Sequence, residues 1–124
     1  MKVWETFTNQ QQWKDYLHGL LKTNDRALLR AIWVIYARQT VEEQIYGVST
    51  EENGRGFSKI DAEFFTELVV QMQHGRELSP RQMAIARNKI TKYWRQLMEE
   101  SKEKMEREER DAESRRKDIK STDI

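Results

Sequence analysis

Arg81, Asn88, Lys92 and Arg95 are spaced by seven, four and three residues, so on an α-helix they share one face. Lys89 lies beside that face, and Trp94 sits at its border with the apolar side. Ammonium and guanidinium groups next to an indole suit nucleic acid: the cations hold phosphates and the ring stacks on a base. Arg55, in a glycine-containing loop, would add one contact. The net charge of the 124 residues is only +1, so this basic character is local. Arg76 to Arg95 contains six basic residues and one acid, Glu77, whereas the segments on either side each carry eight basic and ten acidic residues. The reading requires these cations to point outward from a continuous helix and stay clear of the protein's own acids. The plainer alternative is a solvated helix face, with Trp94 packed against neighbours. Protein contact is a third use, since Trp and Arg are favoured interface anchors.

Residue types for catalysis are poorly arranged. His18 and His74 fall on different predicted helices, without metal-ligand spacing such as His-Glu-x-x-His. The absence of cysteine excludes disulfides, zinc-thiolate sites and cysteine nucleophiles. Glu42 and Glu43 follow Arg38 and Gln39, where a helix salt bridge is commoner than a catalytic carboxylate. Gly54 and Gly56 lie in a loop of the kind that cradles phosphate, but the Gly-Lys-Ser/Thr ending of a P-loop is missing. The expectation is a non-enzymatic protein without metal or cofactor. No apolar run approaches the roughly 20 residues of a membrane span, and the N-terminus is too polar for a signal peptide. A cytoplasmic protein with no membrane partner is expected.

The elements that would position these residues are helical. Trp13, Tyr16, Leu17, Leu20 and Leu21 form one stripe over Asn9 to Lys22, with Thr8 or Asn9 as cap. Val3, Trp4 and Phe7 would fold back on the core. A second helix follows Thr23-Asn24-Asp25. It is apolar nearly all round between Ala27 and Ala37, which marks a central helix, and Gly47 would end it. The loop from Val48 to Ile60 would plug Phe57 into the core. A third helix, capped by Asp61, carries Phe64, Phe65, Leu68, Val69 and Met72 on one side and stops at His74-Gly75. The last start is marked four times: Ser79 as cap, Pro80 at the first helical position, Gln82 closing a capping box, and Leu78 with Met83 as a hydrophobic staple. Met83, Ala86, Ile90, Tyr93, Leu97 and Met98 give this helix its apolar stripe. Residues 99–124 are almost wholly polar, with acid-before-base pairs such as Glu100 and Lys104, and no heptad seam. The predicted fold is all-α: a compact bundle of about four helices over residues 1–98, with residues 99–124 as a charged helical or frayed extension.

Three stretches taken together resemble a small module that recurs in bacteriophage and mobile-element proteins. They are YARQTVEEQ (residues 36–44), NGRGFSKIDAEFF (residues 53–65) and LSPRQMAIARNKITKYWRQL (residues 78–97). The matching positions are Gln39, Thr40, Glu43, Gly54, Gly56, Phe57, Asp61, Leu78, Pro80, Gln82, Tyr93, Gln96 and Leu97. The likeness spans roughly residues 28–98, and Trp94 departs from the small residue expected between Tyr and Gln. It implies a context of DNA replication, recombination or remodelling, and it supplies no known activity and no assigned catalytic residues to carry over. The leading expectation is therefore a binding module that contacts DNA or RNA through Arg55, Arg81, Lys89, Lys92, Trp94 and Arg95. The alternative is a protein-binding inhibitor or accessory subunit of a nucleic-acid machine, for example an anti-defence protein, with the charged tail as a docking arm.

Overall fold

The computed structural model describes the backbone of residues 3–46 and 55–122 and the side chains of residues 4–39 and 55–116. The architecture is all-α, with no strand among the described residues. A 3-10 turn at Val3–Thr6 leads into α1 (Gln10–Thr23), α2 (Asp25–Tyr46) and α3 (Lys59–Gln73). The chain ends in a helical run made of α4 (Pro80–Ile90), a 3-10 turn (Thr91–Tyr93) and α5 (Trp94–Thr122).

The helix starts follow local chemistry. At α1, Asn9 accepts from the Gln12 N–H while Gln12 reaches back to the Asn9 N–H, a reciprocal capping box. Asn24 caps α2 by accepting from the Ala27 N–H at 3.0 Å. Ser79 and Gln82 form the predicted box at α4, and Gln82 also exchanges two amide hydrogen bonds with Gln71 of α3. Leu78 and Met83 both pack against the core. The predicted start of α3 is corrected: the cap position is Ser58, and Asp61 lies within the first turn. The carboxylate of Asp61 is drawn inward to other donors, so it is not available as a cap. The proposed stop at Gly47 lies outside the described residues.

Each helix contributes one side to a single core. Trp13, Leu17 and Leu21 come from α1, and Leu28, Ala31, Ile32 and Ile35 from α2. Phe65, Leu68 and Val69 come from α3, and Ala86, Ile90, Tyr93, Leu97 and Met98 from the last run. Phe57 is 1% exposed and stacks on Phe65 at 4.2 Å, with Tyr93 edge-on at 5.3 Å, as the plugged-loop reading expects. Trp4 and Phe7 fold back on Trp13 and Tyr16.

Two expectations about the last helix change. It is not one continuous α-helix, because it tightens at Thr91–Tyr93. Side chains compete with the backbone there: Thr91 Oγ1 donates to the Asn88 carbonyl, and the ring of His18 sits 3.1 Å from the Thr91 carbonyl. The boundary after residue 98 also moves. Met105 packs against the core, and Glu99 and Glu100 bind Arg38 of α2, so the first part of the charged extension belongs to the bundle. Glu100 turns to Arg38 and Arg55 and forms no ion pair with Lys104.

Candidate functional site at the glycine loop and the basic run

A cluster of polar contacts surrounds residues 55–61, where the buried loop backbone needs hydrogen-bond partners. Gln96 accepts from the Gly56 N–H at 2.7 Å and donates to the Gly56 carbonyl at 2.8 Å. Gln39 accepts from the Phe57 N–H at 3.1 Å. The Tyr93 hydroxyl accepts from the Ser58 N–H at 3.0 Å and donates to Asp61 at 2.7 Å. Three consecutive N–H groups, which in another loop would form a nest for phosphate, are therefore already bonded to side chains. Seven of the positions that carry the resemblance, Gln39, Gly56, Phe57, Asp61, Gln82, Tyr93 and Gln96, act here in holding the loop and the helix starts. Thr40, Glu43 and Gly54 lie outside the residues whose side chains are described.

Asp61, 1% exposed, is the electrostatic centre of this clasp. Lys92 approaches one carboxylate oxygen at 2.5 Å and Lys89 the other at 3.3 Å. Burial alone would raise the pKa of Asp61, but the hydrogen bonds from Lys92, Tyr93 and Lys89 together outweigh it and hold the value at about 2. The hydrogen bond to Asp61 pushes Lys92 above its ordinary value. Burial, and then donation to Asp61, push Tyr93 above its own. This arrangement fixes charge and has no poised acid or base.

Arg38, 4% exposed, enters the sequence reading only as a neighbour of Glu42 and Glu43. It donates to the Gln96 carbonyl at 2.8 Å and to Glu99 at 3.0 Å, with Glu100 at 3.4 Å. It thereby ties α2 to the residue that clamps Gly56. The signal in the sequence is an arginine directly after the largely apolar stretch Ala27 to Ala37, just before Gln39. Arg38→Met should cost about 1–2 kcal/mol, because Glu99 and Glu100 can turn to water while the thioether fills the space of the arginine stem. Arg38→Ala should cost about 2 kcal/mol more through the cavity it leaves. Urea unfolding midpoints compare the two, and equal losses would show that the stem packs against nothing of consequence.

The predicted nucleic-acid residues do not form one free surface. Lys89 and Lys92 are bound to Asp61, and Arg87 pairs with Asp25. Arg55 reaches Glu100 at 4.0 Å. Half of the six cations in the basic run are thus met by the protein's own carboxylates, because α3 and the start of α2 bring acids that lie far away in sequence. Arg81 and Arg95 are exposed and form no ion pair among the described residues. Trp94 is half-buried against the core, with the Arg95 guanidinium 5.3 Å from its ring centroid. Neither histidine approaches a metal-binding set, and no group of three potential ligands occurs among the described residues.

A different feature, not anticipated from the sequence, is a groove of about 830 Å³ between α1, α2 and α5. Trp13, Leu17, Leu21, Ala31 and Leu97 underlie it, and Tyr16, Leu20, Val34 and Met105 form its partly exposed apolar walls. Arg26 and Arg30 stand along the α2 rim, both exposed and without an ion pair among the described residues. Glu100, Lys104, Arg107, Glu108 and Asp111 stand along α5.

No protein-family model, curated protein or solved structure matches this chain. No helix among the described residues is long and apolar enough to cross a membrane.

Proposed function

We propose that this chain is a non-enzymatic protein-binding module, an accessory subunit or inhibitor that acts on a larger machine. The observation that carries the reading is the groove between α1, α2 and α5. It is apolar on its floor and walls and charged on its rims, the form used to take up an amphipathic helix. The basic α2 rim at Arg26 and Arg30 suits a partner helix with acids along the facing flank. α5, about 43 Å long by helical rise, extends the mixed-charge rim as a docking arm. The likeness to a phage and mobile-element module supports a partner that works on nucleic acid, with the cytoplasm as the setting.

The reading favours protein over phosphate as the principal partner because Lys89, Lys92 and Arg87 are engaged internally. The test is affinity purification from cell extract with nuclease treatment, comparing wild type with Leu20→Asp and with the rim pair Arg26→Glu/Arg30→Glu. A defined complex should survive nuclease, disappear with Leu20→Asp and weaken at least tenfold with the rim pair. A complex that persists in both variants, or that nuclease dissolves, sinks the proposal. Circular dichroism checks that Leu20→Asp, on a partly exposed wall, keeps its helices.

A further inference from the structure

The groove uses only one flank of α1. At 100° per residue, Tyr16 and Leu20 lie on one side of the buried stripe Trp13, Leu17 and Leu21, while Lys14 and His18 lie on the other. That second flank faces the 3-10 turn and the start of α5. Lys14 Nζ stands 5.8 Å from the centroid of the Trp94 ring, and the Arg95 guanidinium stands 5.3 Å from the same centroid. His18 meets the Thr91 carbonyl at 3.1 Å, and Arg87 donates to the Leu21 carbonyl at 3.0 Å, so the two elements are fastened along their length. Lys14, His18 and Lys22 recur every fourth residue on α1, opposite Arg87, Thr91 and Arg95 on the other run.

The acids near this seam form no ion pair with its lysines or with Arg95 among the described residues. Asp25 pairs with Arg87, and Asp15, beside Lys14, accepts from Gln11 at 2.9 Å. Lys14, Lys22 and Arg95 form no ion pair among the described residues. Two helices thus bring unneutralised cations to a single half-buried indole. A stacked base is held more strongly on an indole than an exposed cation over the same ring. A base can therefore displace one cation from the face of Trp94 and leave that cation for the adjoining phosphate.

From this geometry we infer that the Lys14–Trp94–Arg95 seam is a contact site for single-stranded nucleic acid, with one unpaired base on Trp94 and phosphates on Lys14, Lys22 and Arg95. The site is independent of the groove and uses Trp94 and Arg95 without Arg55, Lys89 or Lys92. A duplex presents no free base face, so preference for the unpaired strand distinguishes stacking from plain charge attraction.

The experiment is fluorescence anisotropy of the full chain with labelled dT15, labelled rU15 and the dT15·dA15 duplex, at several salt concentrations. Binding to dT15, rU15 or both is expected, with log affinity falling against log salt at a slope of about −2 for three phosphates on a single strand. The duplex should bind at least tenfold more weakly. Lys14→Gln/Arg95→Gln should lower affinity about tenfold, and Trp94→Leu, which keeps an apolar group against the core, should do the same. Lys89→Gln/Lys92→Gln should leave it within twofold. Thermal melts check the fold, and the Lys14/Arg95 pair, lying on the surface, decides the matter if Trp94→Leu is destabilised. No salt-sensitive binding to either strand at 50 mM salt (a roughly 12–14 Å Debye length), duplex binding of equal strength, or indifference to the Lys14/Arg95 change each overturns the inference.

Discussion

Gly56→Ala is expected to destabilise the fold by about 4 kcal/mol, a large part of the stability of a domain this size. Two effects add. Gly56 has φ +90°, where a side chain costs about 1–3 kcal/mol in strain. A Cβ there would also lie 2.4 Å from Cβ and 2.7 Å from Cα of Gln39. Gln39 belongs to the central helix, and its backbone can give way only if α2 shifts, an overpacking cost of about 1–3 kcal/mol. Moving Gly56 would also pull both of its hydrogen bonds to Gln96 out of line. Gly75→Ala separates the two effects, because φ is +76° but nothing lies within 4 Å of the new Cβ. It should cost only the conformational part, about 1–2 kcal/mol. Gly19→Ala, inside α1 with open space around it, should stabilise by about 0.5–1 kcal/mol. Denaturant midpoints should therefore fall in the order Gly19→Ala, wild type, Gly75→Ala, Gly56→Ala. A Gly56→Ala midpoint equal to that of Gly75→Ala would mean that α2 and the loop are not in the close contact described.

What could be read from the chain was what local chemistry determines. Asn9 with Gln12 and Ser79 with Gln82 bond within four residues, and Pro80 needs no partner at all. The apolar stripe of α3 follows from helical periodicity alone, whereas α2, apolar nearly all round in sequence, buries one side and leaves Trp33 39% exposed. Phe57 belongs in the core on sequence grounds, because a lone aromatic in a polar loop has nowhere better to go. What could not be read was partnership across the fold. Asp61 looks like a cap when only its neighbours are known, yet its partners Lys89, Lys92 and Tyr93 lie about thirty residues on. The charge surplus of the basic run was real in sequence, but surplus is not exposure. Carboxylates on α2 and α3 meet three of its six cations. Lys14 is silent in the sequence for the opposite reason: nothing near it links it to Trp94, and only the packing of α1 beside the 3-10 turn brings them together. The groove depends likewise on the packing of α5 beside α1 and α2, which no pattern within one helix encodes.

The second large effect is expected at Asp61, where stability should depend on pH in one direction only. A carboxylate whose pKa in the folded protein lies below its ordinary value stabilises the fold fully above that ordinary value. The contribution is lost as pH falls towards the folded value. For Asp61 the drop from 3.8 to about 2 corresponds to about 2 kcal/mol, present at neutral pH and lost between about pH 4 and pH 2. Asp61→Asn retains an acceptor for the Tyr93 hydroxyl but no charge for Lys89 and Lys92. Subtracting its unfolding free energy from that of wild type should give a difference of about 2 kcal/mol at pH 7 that shrinks steadily below pH 4. Asp61→Ala removes the acceptor as well and should cost about 3 kcal/mol at pH 7, since the buried Tyr93 hydroxyl then loses its strongest partner. The loss stays at the low end for a broken buried ion pair, because the Lys92 and Lys89 side chains are 55% and 34% exposed and can turn to water. If the difference between wild type and Asp61→Asn stays constant from pH 7 to pH 2, the lysines are not held by that carboxylate. They would then be free for phosphate, which would revive Lys89 and Lys92 as contacts and reverse the preference for the groove over the basic face.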